Sequence, residues 1–189
     1  MTTDSHVLVI GRSQAVLDQA VARLDELGYK AEATNDFSPI TGRFDPQQID
    51  LVVFGGQVPP DSKTALTEEI SATNPQVIFI QGLAGIPGLI ADQVQQALGG
   101  EHLIPGQAPM FDATRRAIVL GLFAPLDVTV TAYWITAMIP PDPKSDSQVL
   151  FEDRLPAGEH TFALPDHANL DAAFTTVRAG DARWSFRLS

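Results

Sequence analysis

Cysteine is missing from all 189 residues. Its absence excludes disulfides, thiolate nucleophiles, and zinc or iron–sulfur sites held by thiolates. Basic residues are scarce: 12 Lys and Arg stand against 23 Asp and Glu, a formal net charge of −11. Nucleic acids and anionic membranes repel such a chain on average, so neither is expected as a partner. The sole adjacent basic pair, Arg115-Arg116, reads as a solvated strand start. Long apolar runs are also lacking, and none approaches the roughly 20 residues that cross a bilayer. The opening MTTDSHVLVIG has neither the basic head nor the small-residue cleavage site of a secretory signal. Cytoplasmic residence is the expectation. What is there is globular: with 44% hydrophobic residues the chain can fill a sizeable core.

The segment DLVVFGGQVP at 50–59 organises the first half. Four apolar residues, Leu51–Phe54, end in Gly55-Gly56, as a strand covered on both faces would. Before it, His6–Ile10 reads as a strand closed by Gly11. Ser13 is placed to cap a helix bearing Val16, Ala20, Val21, Leu24 and Leu27 on its apolar face, and Gly28 ends that helix. Tyr29–Thr34 is extended. Asn35–Pro39 is a loop, and Ile40–Gln48 is at most a turn or two of helix. After Phe54 a helix over 61–71 buries Ala65, Leu66 and Ile70. Val77–Ile80 is a fourth strand, Gln81–Gly88 a loop, and Leu89–Leu98 a helix. His102–Ile104 is a short fifth strand. Alternating strands and helices with short connections specify a doubly wound parallel sheet of the flavodoxin or receiver type, residues 1–104.

The pattern then changes. Residues 105–112 read as a linker. Ala117–Phe123, Val128–Ile139, Val149–Phe151, His160–Leu164, Ala172–Val177 and Trp184–Leu188 read as strands, with no helical period between them. Residues 140–147, PPDPKSDS, read as a long exposed loop. Ala157-Gly158 and Ala179-Gly180-Asp181 read as hairpin turns. Residues 113–189 are thus expected to form a small antiparallel β-sandwich or a single sheet. Trp134, Trp184, Phe123, Phe151, Phe162, Phe174 and Phe186 supply its core. So short a sheet has little interior of its own, and a homodimer or a protein partner is expected to cover part of its apolar surface.

The strand–helix order of residues 5–104, with DLVVFGGQVP inside it, resembles the receiver domain of bacterial two-component response regulators. In that family the third strand ends in the phosphorylated aspartate, followed by a hydrophobic residue and proline, here Val58-Pro59. Gly55 stands in the aspartate's place. Gly11 and Arg12 stand where the magnesium-binding acidic pair would be, and Gln81 holds the switch Ser or Thr position. No lysine lies near Ile104-Pro105. Aspartyl-phosphate chemistry needs a carboxylate nucleophile, a divalent ion on further carboxylates, and a cation for the phosphoryl oxygens. The resemblance therefore implies a pseudo-receiver with no catalytic residues, no metal and no cofactor.

Gly11-Arg12-Ser13, Asp36 and Phe54-Gly55-Gly56 are also similar to the middle of a short-chain dehydrogenase, where Arg12 would meet the 2′-phosphate of NADP. The glycine-rich first turn of that family would lie before residue 1, and its Tyr-x-x-x-Lys pair is missing. Open α/β sheets place ligands at the carboxyl ends of their strands. There Gly11, Arg12, Ser13, Gly55, Gly56, Gln57, Gln81 and Gly82 form a possible ligand-binding set for a small anion, a nucleotide or a phosphorylated metabolite. Gly85–Gly88 precede a helix start whose free amides would assist. The alternative for these glycines is tight turns and close packing. The histidines His6, His102, His160 and His167 do not form metal-binding pairs. Glu159-His160 and Asp166-His167 read as exposed loop residues.

Overall fold

Five consecutive buried residues, His6–Ile10, form the first strand, β1. In the computed structural model, which describes residues 4–99, 106–139 and 142–188, β1 lies between Lys30–Thr34 (β2) and Leu51–Phe54 (β3). Ile78–Gln81 (β4) pairs with the far side of β3. All pairings are parallel and the order is β2-β1-β3-β4. The expected fifth strand at 102–104 lies outside the described residues, so among them the sheet has four strands. The chain divides into two compact units, Met1–Ala97 and Leu98–Ser189.

Helices Gln14–Glu26 (α1), Pro60–Thr73 (α2) and Pro87–Leu98 (α3) accompany the first sheet. Ser13 caps α1, its Oγ accepting from the Val16 amide at 3.2 Å. The buried line of α1 is Leu17, Ala20 and Leu24. Val16 and Val21 border that line instead of forming it, a correction of phase by about one residue. In α2 Leu66 and Ile70 are buried one turn apart, while Ala65 is exposed, contrary to expectation. One sheet face carries Leu8, Ile10, Val52 and Phe54 into a core with Leu66, Ile70, Ile40 and Ile49. The alternate residues Val7, Val9, Leu51 and Val53 are buried on the other face.

The second unit begins with a correction. Gly106–Asp112, read as a linker, is a strand (β5) paired antiparallel with Ala117–Leu122 (β6), and β6 pairs with Gly158–Ala163 (β9). A second antiparallel sheet takes Leu126–Ala137 (β7), Lys144–Leu155 (β8), Ala173–Ala179 (β10) and Ala182–Arg187 (β11) in the order β11-β10-β7-β8. The two sheets enclose one core, with Ile118, Leu120 and Leu122 from one and Val128, Val130, Trp134 and Val177 from the other. β8 runs through residues expected to be loop at 144–147. The Ala157-Gly158 turn is no hairpin: it carries the chain from β8 to β9, which belong to different sheets. Gly180-Asp181 is a hairpin turn, closing the Ala179–Ala182 pair. Gly180 adopts φ +57°, the conformation such two-residue loops favour at their first position. Phe123, expected in the core, is 72% exposed, because β6 ends one residue before it.

Candidate functional site

Strand order reverses between β1 and β3, and a doubly wound sheet places its crevice at that reversal. The residues at those strand ends are Gly11-Arg12-Ser13 and Gly55-Gly56-Gln57. The sheet ladder continues past the strands here. The Gly11 amide donates to Thr34 O (3.1 Å), Gly55 to Ile10 O (2.8 Å) and Gly82 to Phe54 O (2.9 Å). Three amides that an anion would use are therefore engaged within the sheet. The two loops also touch through their backbones: a Cβ on Gly55 would lie 3.3 Å from both Gly11 Cα and Ile10 O. Glycine at 55 thus lets the main chains of the two loops meet at the crevice.

The flanking residues are committed in the same way. Ser13 is buried and caps α1. The Gln81 side-chain amide donates to Phe54 O (2.8 Å) and Gly82 O (3.2 Å), and its Oε1 accepts from Lys63 Nζ at 2.6 Å. Gln93 accepts from the Leu83 amide and donates to Gln81 O. Arg12, Gly56 and Gln57 are exposed. The expected set is thus gathered at one sheet end, but Gln81, Ser13 and the three glycine amides face inward to the fold. Gly88, expected ahead of its helix, lies in the first turn of α3, which begins at Pro87.

Lys63 and Gln93 escaped the sequence reading. They sit on helices, Lys63 in the first turn of α2 and Gln93 midway along α3, and only tertiary folding brings them to the strand ends. Glu69 was missed for the same reason and Arg43 because its partners are carbonyls of an irregular loop; together they pin the segment after β2. Arg43 donates to Ser38 O (2.7 Å), Pro39 O (3.2 Å), Asp36 O (3.4 Å) and Thr34 Oγ1 (3.2 Å), and lies 3.1 Å from the Asp36 carboxylate. Asp36, the residue a dehydrogenase would turn to a ribose, also accepts from the Ser38 amide at 2.9 Å. Those Ser38 bonds, with Arg43 adding to them, hold its carboxyl below the usual range.

The histidines are scattered. His6 is a buried strand residue whose Nε2 lies 2.6 Å from Glu32 Oε2. His160 is half-buried in β9 with its Nε2 2.8 Å from Pro156 O, so the loop reading of this residue is corrected. His167 is exposed and meets the Trp134 ring edge-on at 5.3 Å. Among the described residues no three His, Asp or Glu side chains converge as a metal site. Arg116 is a clamp more than a solvated strand start. Taking φ 49°, it donates to the carbonyls of Pro165, Asp166 and Ala168 at 3.2–3.4 Å.

No protein-family model matches the chain. No curated protein matches it. Among solved structures it is similar to the non-phosphorylated HemR receiver domain of Leptospira biflexa, with 20% identity and TM-score 0.36, over 42% of this chain and 65% of that one. It is also similar to the lactose-specific IIB domain of the phosphotransferase system of Streptococcus pneumoniae, with 14% identity and TM-score 0.35, over 51% of this chain and 99% of that one. An NAD kinase of Archaeoglobus fulgidus in complex with ATP matches over 96% of this chain and 87% of its own, at 10% identity and TM-score 0.30.

Proposed function

We propose that this chain is a non-catalytic regulatory or protein-interaction protein. Its α/β unit is a receiver-like domain that takes no phosphoryl group, and its β unit presents the surface for a protein partner. The observation that carries this reading is the closed end of the parallel sheet. Gly55 occupies the nucleophile's position with its backbone against Gly11, and the neighbouring amides and Gln81 are bonded within the fold. Phosphoryl transfer there lacks both a carboxylate to attack and a carboxylate pair to hold the metal. A small anion at the same edge is the weaker alternative, since the donors it would use are taken. The partner surface is favoured by exposed apolar residues of the β unit: Met110, Phe123, Met138, Ile139 and Val149 are all more than half exposed.

Incubation with acetyl phosphate and magnesium, followed by intact-mass measurement, is expected to leave the protein unlabelled. Covalent phosphate on any aspartate overturns the reading. A thermal-shift screen with nucleotides and phosphorylated metabolites is expected to leave the melting temperature in place. A ligand bound at the strand ends would raise it by mass action.

A further inference from the structure

We draw no further inference here: the strongest candidate, the face of the β10–β11 hairpin that sets Arg178 opposite Arg183 with Arg187 further along, carries nothing, because Phe174 and Thr176 on that same face are buried and nothing in the structure shows what covers it.

Discussion

Glu69 shows how much backbone a single side chain can hold. Its carboxylate accepts from the Ile40 amide (3.1 Å), the Thr41 amide (2.8 Å) and the Thr41 hydroxyl. Burial pushes its pKa up, but the Thr41 hydroxyl, the two amides and Arg43 outweigh that and hold it below the ordinary 4.5. A depressed folded-state pKa adds stability that is fully present above the unfolded value. It is lost as pH falls through the lower folded one. Glu69→Gln is therefore expected to lower the melting temperature at neutral pH and to flatten its decline below about pH 5. Melting curves measured from pH 7 downward check this; an unchanged acid slope would mean that other carboxylates dominate. None of this arrangement was legible in the sequence. Glu68-Glu69 reads as a solvated helix face, and the partners of Glu69 lie 28 and 29 residues away. The strand end and turn at Phe54-Gly55-Gly56, by contrast, were legible, because they depend on a local pattern.

At the level of elements, β1, β3 and β4 were legible because each is a short apolar run between turn formers. β8 was not. Apart from Leu150, Phe151 and Leu155 its residues are exposed, so the strand has little apolar alternation; it is held by backbone pairing to β7 and by those three side chains against the core. β5 was missed likewise, since Pro109 and an irregular register break its pattern. Trp134 lies at the centre of what was legible. Strict alternation along β7 sends Val128, Val130, Ala132 and Trp134 into the core, where Trp134 is 3% exposed. Trp134→Ala is expected to cost about 3–5 kcal/mol, as a large cavity does. Trp184 only packs against that core and is partly buried, so Trp184→Ala is expected to cost clearly less. Denaturant unfolding of the two variants tests the order, and equal losses would contradict this placement of the rings.

For the whole molecule, charge sets the terms on which copies meet. A net charge of −11 opposes the approach of two copies at long range. Salt then has one dominant effect, to screen the repulsion. The screening length falls from about 30 Å at 0.01 M to about 8 Å at 0.15 M, shorter than the span of a unit this size. Self-association is therefore expected to tighten as salt rises over that range and to level off once the long-range field is gone. An interface built from ion pairs, such as one using Arg154 and Asp127 on the β unit, has the opposite sign, because salt weakens its attraction. Sedimentation equilibrium at several ionic strengths separates the two. A dimer that loosens with added salt is held by ion pairs across its interface.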